Sequence, residues 1–231
     1  MTHAVTLRCR IRRLPAWPLS TFCYTRRIMC ADRPYHHGDL RNRLLERAEQ
    51  ALREHGVEQL SLRQLAREVG VTHNAPSRHF ADKQALLDAL AVTGFQRIGD
   101  VFDAIAAEAE SLPFEGRFRL ITRAYLDFAL ANPALLNLMF ARKHSSAAGA
   151  DLGPAIAKAF AVPMALTADA QARGEIIQGE PLRIGLTVAI ALQGLASFVI
   201  SGMVQPDNVE AMLDETVTNL TRGLHPRPDA E

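Results

Sequence analysis

The chain has 231 residues, 48% hydrophobic, 22% charged and 6% aromatic, with a formal net charge of +1. This is the balance of a globular protein with a sizeable core; it excludes collagen-like, mucin-like and wholly disordered polymers and names no partner. Divided along the chain, the charge says more: residues 1–30 carry six arginines and no acid, residues 36–85 hold eight bases against seven acids, and residues 86–231 hold eleven against seventeen.

The opening segment, residues 1–30, contains Arg8, Arg10, Arg12, Arg13, Arg26 and Arg27 together with all three cysteines, Cys9, Cys23 and Cys30. A disulfide framework or thiolate metal site is therefore ruled out downstream. Pro15 and Pro18 interrupt the segment, which lacks the apolar core of a secretory signal; its arginine-rich, acid-free character is compatible with an organellar transit peptide. The preferred reading is an upstream extension outside the fold, with Met29 a natural first residue.

From Asp39 the periodicity is helical. Leu40, Leu44, Ala48 and Leu52 recur at four-residue spacing and Arg41, Arg43, Arg47 and Glu49 take the other face, up to a stop at His55-Gly56. The next segment opens with Ser61 and Gln64 in capping-box spacing, runs Leu62, Leu65, Ala66 and Val69 along one face, and closes at Gly70. Thr72 can cap a second short helix with Pro76 in or near its first turn, although a start later than about Ala75 suits the proline better. Asp82 is the N-cap of a segment striped by Leu86, Leu87 and Leu90, and the pattern continues from Gly94 to Ala109 through Phe95, Ile98, Phe102 and Ile105. Gly94 and Gly99 are places where such a helix could bend.

After Pro113, residues 115–131 form a helix bearing Phe118, Ile121, Tyr125 and Phe128, and Asn132-Pro133 launches another. Ser145 to Gly153 reads as a flexible connection. Pro154 to Arg173 reads as a helix interrupted near Pro163, Pro181 starts the next, and a final helix begins at Asp207, with Glu210 in capping-box spacing, and ends at Gly223. No alternating strand pattern or internal repeat is present. The expected fold is all-α, with about nine helices.

Two short helices joined by a glycine-containing turn, after one longer helix and before another, have the arithmetic of a helix-turn-helix. An αα-corner within some other bundle has the same spacing. The segment Thr72 to His79 favours nucleic acid, because Thr72, His73, Asn74, Ser77, Arg78 and His79 offer polar groups for base edges and phosphates.

At these residues the sequence resembles the TetR family of bacterial transcriptional repressors. The stretch SLRQLAREVGVTHNAPSRHFADKQALLDAL is similar to the family's second to fourth helices, and YHHGDLRNRLLERA to the first helix of one large branch. The resemblance implies a helix-turn-helix domain over residues 36–85, with Arg41, Ser61, Arg63, Thr72, His73, Asn74, Ser77, Arg78, His79 and Lys83 facing DNA. Relatives commonly carry a tyrosine where this chain has Ser77, and that hydroxyl usually reaches a phosphate. Further on, YLDFALANPALLNLMFARK resembles the ligand-binding domain of the branch named for a Trp-His-Gly motif. Here Ala189 and Gln193 stand at the tryptophan and histidine positions, and only Gly194 remains.

The resemblance assigns residues 94–225 to effector binding and dimerisation. Phe95, Phe102, Tyr125, Phe128, Met139 and Met164 are candidates to line a cavity for a small apolar or amphipathic effector, with plain core packing the alternative for each. Residues 184–204 carry no charge and are long enough to span a bilayer, but Thr187, Gln193, Ser197 and Ser201 argue against insertion. A helix apolar nearly all round needs cover on both sides. In the family the last two helices build a dimer interface, which places Ala191, Leu195, Phe198, Met212 and Val217 there.

His36 and His37 point apart and His73 and His79 are six residues apart, so no metal site is expected, and no cofactor. No G-x-S-x-G, H-E-x-x-H, G-x-G-x-x-G or P-loop pattern is present, so the chain is not expected to be an enzyme. The expectation is a cytoplasmic homodimeric repressor, off the membrane, that binds a palindromic double-stranded operator and responds to a ligand. An all-α adaptor without DNA binding and a helical enzyme are the alternatives.

Overall fold

The structure is a computed structural model that describes residues 37–143 and 149–226. The arginine-rich opening, His36 and part of the Ser145–Gly153 connection lie outside them. The described residues belong to one compact unit and contain nine α-helices, two single 3-10 turns and no strand.

Helix α1 (His37–His55) buries Leu40, Leu44, Ala48 and Leu52, the stripe read from the sequence, and stops where Gly56 takes the left-handed conformation at φ 75°. Helix α2 (Leu62–Val69) ends in a Schellman motif: Gly70, at φ 79°, donates its N–H to the Arg67 carbonyl, and Val71 donates to Ala66. The expected capping box at its start does not form. Gln64 instead donates to Glu68 one turn on, at 2.9 Å, and the Ser61 side chain makes no cap bond.

The second short helix of the sequence reading is a single 3-10 turn, Pro76–Arg78, so Thr72 does not cap an α-helix. In an α-helix started at Thr72, residue 76 would donate its N–H to the Thr72 carbonyl, and proline has none to give. Ala75 donates there instead, at 3.0 Å, which tightens the chain to three-residue spacing.

Helix α3 (Lys83–Glu108) is continuous over 26 residues, about 39 Å. Asp82 caps it as expected, its carboxylate accepting from the Ala85 N–H at 2.8 Å. Gly94 and Gly99 are sites of close approach within this unbroken helix. A Cβ at Gly94 would stand 2.5 Å from the Met139 sulfur, and one at Gly99 would stand 3.2 Å from the Ala159 Cα. Helix α3 packs against α4 (Phe114–Ala131), α5 (Pro133–Lys143), α6 (Leu152–Ala159) and α7 (Ala161–Ala172). The interruption expected near Pro163 is the break at Phe160 between α6 and α7. It lies one residue past Ala159, whose carbonyl the proline cannot satisfy.

Helix α8 (Pro181–Ile200) starts at its proline, and α9 (Val209–Leu224) closes the bundle. Asp207 does not begin α9. It sits in the 3-10 turn Pro206–Asn208, and Glu210 reaches across to Arg123 on α4 instead of back to a cap.

Two ion pairs fasten α3 to its surroundings. Arg97 grips Glu49 of α1 through both terminal nitrogens, at 2.8 and 2.7 Å. Near the start of α3 the buried Asp88 carboxylate accepts from Arg142 Nε of α5 at 2.5 Å and from the Gly149 N–H at 2.9 Å. Arg142 also donates to Gln84, at 2.6 Å.

Candidate functional site

The polar segment from Thr72 to Arg78 is held by two apolar anchors. Pro76 is among the most deeply buried side chains and Phe80 is buried at the end of the turn, and Ser77 and Arg78 between them point outward. Thr72, His73, Asn74, Ser77 and Arg78 are exposed, and His79 is half-buried. On the flanking elements Arg41, Ser61 and Arg63 are exposed as well.

Four of the residues expected to meet DNA also hold the unit together. The Arg41 guanidinium lies over the Phe80 ring, 5.5 Å from its centroid. Lys83 is half-buried, and its ammonium donates to the Glu58 carbonyl at 3.0 Å. The Ser77 hydroxyl donates to the Asn74 carbonyl at 2.7 Å, and Ser61 closes the first turn of α2 through its own carbonyl, which accepts from Leu65. Arg43, also expected to help attract DNA, donates to Val69 at 2.8 Å and so ties α1 to the end of α2.

The near-neutral charge of residues 36–85 is unevenly used. Glu49 is engaged by Arg97 and Arg53, and Glu54 and Glu68 by Arg47, whereas Arg63 and Arg78 have no acidic partner among the described residues. Three of the seven acids of residues 36–85 are thus paired, while the guanidinium groups of Arg78, within the segment, and Arg63, on α2, stay exposed. The first amides of α2 also lack a side-chain cap, the arrangement that accepts an anion at a helix start.

The proposed sensing residues fall in three settings. Phe95, Phe102 and Met139 are core, with Phe95 tilted against Phe160 at 6.4 Å and Met139 filling the space left by Gly94. Tyr125 is buried and its hydroxyl donates to Gln193 of α8, the position where the branch motif has histidine; burial pushes its phenol above the ordinary range. Phe128 and Met164 are half-buried. None of the six lines the recess of about 270 Å³ between α3, α4 and α7, whose apolar wall includes Ile105, Ile121, Val162 and Leu166. A second recess, of about 300 Å³, lies between α8 and α9 beside Ile184 and Leu220.

The proposed interface residues divide in two. Leu195 and Val217, at 6% and 2% exposure, face the chain's own core. Phe198 (52%) and Met212 are exposed and Ala191 is half-buried. The outward stripe of α8 runs through Leu182, Leu186 and Ile190, the last 72% exposed, which the sequence reading did not single out. This helix is long and apolar enough to cross a membrane by length and composition, and is mostly uncovered within the chain. Among the described residues no group of three or more His, Cys, Asp or Glu side chains gathers to hold a metal.

Residues 44–90 match the family described as bacterial regulatory proteins, tetR family, and residues 118–220 match the tetracyclin repressor-like C-terminal domain. A solved structure of a protein with unknown function from Rhodococcus sp. RHA1 is 42% identical. It superposes with a TM-score of 0.77, the match covering 84% of this chain and all of that one. Two more distant structures share the fold. The TetR-family transcriptional regulator PfmR from Thermus thermophilus is 19% identical with a TM-score of 0.59, over 80% of this chain and 100% of its own. The fatty acid degradation regulator FadR from Bacillus halodurans is 15% identical with a TM-score of 0.60, over 85% and 100%. No curated protein matches the chain.

Proposed function

The chain belongs to the TetR family of bacterial transcriptional regulators, and from that membership we propose a cytoplasmic, homodimeric, ligand-responsive repressor that binds a palindromic operator and has no catalytic activity. Residues 36–85 read DNA, and residues 94–225 bind the effector and dimerise. The observation that carries this reading is the exposed segment from Thr72 to Arg78, pinned at Pro76 and Phe80, with Arg41 packed on Phe80 and Arg63 exposed on α2. A turn anchored by two buried side chains and presenting hydroxyl, imidazole, amide and guanidinium groups suits a groove edge and its phosphates. Asn74 and His73 are placed to read bases; Arg78, Arg63 and the α2 amides to take phosphates.

The outward apolar stripe of α8 is given to a second copy of the chain, off the membrane. Two such copies set two reading turns at fixed separation, and a duplex offers successive major grooves about 34 Å apart. The effector is apolar or amphipathic and acts through α3, which begins at Lys83 beside the reading turn and ends in the sensing half.

Fluorescence anisotropy with the duplex upstream of the protein's own gene tests the reading. Nanomolar binding that survives competitor DNA and weakens steeply with salt is expected. Equal affinity for the upstream and scrambled duplexes, or none for either, would sink it.

A further inference from the structure

The recess between α3, α4 and α7 contains a polar group that its packing does not satisfy. Arg117 stands in its wall with a side chain only 16% exposed. Its Nε is buried and has no hydrogen-bond partner among the described residues. Both of its terminal nitrogens reach the same atom, Oδ2 of Asp169, at 3.2 Å. That oxygen is held more closely by Arg173, whose Nη2 donates to it at 2.7 Å. Asp169 would therefore keep a cation if the Arg117 side chain turned to another acceptor, and that turn would also bring its buried, unpaired Nε toward the recess. A buried donor without an acceptor is unfavourable, and an acceptor brought in by a ligand removes the penalty.

We infer that this recess binds a compact amphipathic molecule whose apolar body lies against Ile105, Ile121, Val162 and Leu166 and whose carbonyl or carboxylate oxygen accepts from Arg117. Its volume of about 270 Å³ falls just below the roughly 300–1,000 Å³ range of ligand sites, which selects a short chain or single ring. Glu110 and Asp169 also border the recess. They disfavour a multiply charged anion, while a cationic head group would leave the arginine N–H unpaired. One acceptor oxygen on an apolar body is the chemistry that fits. The inference rests on the ligand-responsive reading and gives its effector a chemical class. Ile105 lies near the end of α3 opposite Lys83, so a ligand wedged there acts on the helix that reaches the reading turn.

Calorimetric titration of the full chain with octanoate, methyl octanoate and octylamine tests the inference. Octanoate should bind at least tenfold tighter than octylamine. Equal binding of the ester assigns the carbonyl oxygen, and its failure assigns the carboxylate. Arg117→Met should weaken octanoate about ten- to hundredfold, as expected for a lost charge-assisted hydrogen bond. Asp169→Asn should tighten it severalfold by releasing Arg117, a gain that a merely structural arginine would not give. Ala165→Phe, on an exposed residue bordering the recess, should abolish binding and keeps the test decisive if Arg117→Met fails to fold. Binding of octylamine as tight as octanoate, no binding of either oxygen-bearing probe, or an octanoate affinity indifferent to all three substitutions overturns the inference. Anisotropy with the upstream duplex, run in parallel, separates the two readings. Arg117-dependent octanoate binding without DNA binding supports this site and sinks the repressor. DNA binding that octanoate leaves unchanged keeps the regulator and overturns the effector role.

Discussion

The reading unit and helix α8 both leave surface that the folded chain does not satisfy, and the two surfaces differ in kind. Around Thr72 to Arg78 the exposed groups are donors and guanidinium charges, set by two buried anchors into a short turn. Along α8 they are Leu182, Leu186, Ile190 and Phe198, an apolar stripe with no charge between Ile184 and Ile200. The first surface is already hydrated and gains from a polyanion by releasing counterions, so its binding depends on salt. The second gains only by leaving water, so its partner must be apolar and salt matters little. One chain thus carries an electrostatic surface and a hydrophobic surface, with α3 running from the reading turn into the bundle that carries the other.

The sharpest way to break this contrast is to place one charge on either side of α8. Leu195→Asp buries an unpaired carboxylate in the protomer's own core, costing several kcal/mol, and should unfold the chain or lower its melting temperature drastically. Ile190→Asp alters an outward residue and should leave each protomer folded but monomeric by analytical ultracentrifugation. If Ile190→Asp sediments as an unchanged dimer, the interface lies elsewhere.

The link between the two regions comes next. Arg142→Met leaves the buried Asp88 without its cation and should cost about 3–5 kcal/mol in urea unfolding. A loss under 1 kcal/mol would show that the pair does not fasten α3 to α5. Gly94→Ala drives a methyl into the Met139 sulfur and should cost about 1–3 kcal/mol by the same measurement, partly recovered in Gly94→Ala/Met139→Ala. Were Gly94 a bending point instead, alanine would stabilise the helix.

The smallest effects belong to the reading unit. Arg78→Ala should weaken every duplex by roughly tenfold and lower the salt slope by about one, whereas Asn74→Ala should change which bases are preferred. Lys83→Ala should do less to the slope than Arg78→Ala, because its ammonium is already bonded to the Glu58 carbonyl. A larger slope change for Lys83→Ala would show that this bond opens on DNA.

The elements of the fold were legible where a single residue fixes the backbone. Gly56, Gly70, Asp82 and Pro181 stop or start helices at or beside the places read from the sequence, because left-handed φ, a capping carboxylate and a missing N–H act locally. The two capping boxes were not legible, since Gln64 and Glu210 spend their side chains on Glu68 and Arg123, and the second partner lies 87 positions away. Gly94 and Gly99 looked like bends because the closeness of Met139 and Ala159 belongs to tertiary packing. Helix α8 defeated the periodicity argument outright: apolar nearly all round, it gives no sign that Leu195 faces in while Ile190 faces out. The exposure of Thr72, His73, Asn74, Ser77 and Arg78 was the most readable feature, because polarity on a short helix-turn-helix spacing is itself the signal of an outward face. The recess was the least readable. Arg117 has the same helical register as Ile121, and that pairing of a charge with an apolar position was its only trace in the sequence.

Footprinting on the upstream duplex with the wild-type chain and with Ile190→Asp, in the same buffer, tests the central claim most directly, since it asks whether the two surfaces work together. The wild-type chain should protect two inverted half-sites about one helical turn apart, and the monomeric variant should lose both at the same concentration. A single protected site for the wild-type chain, or equal protection by the variant, would contradict a dimer that reads DNA through paired turns.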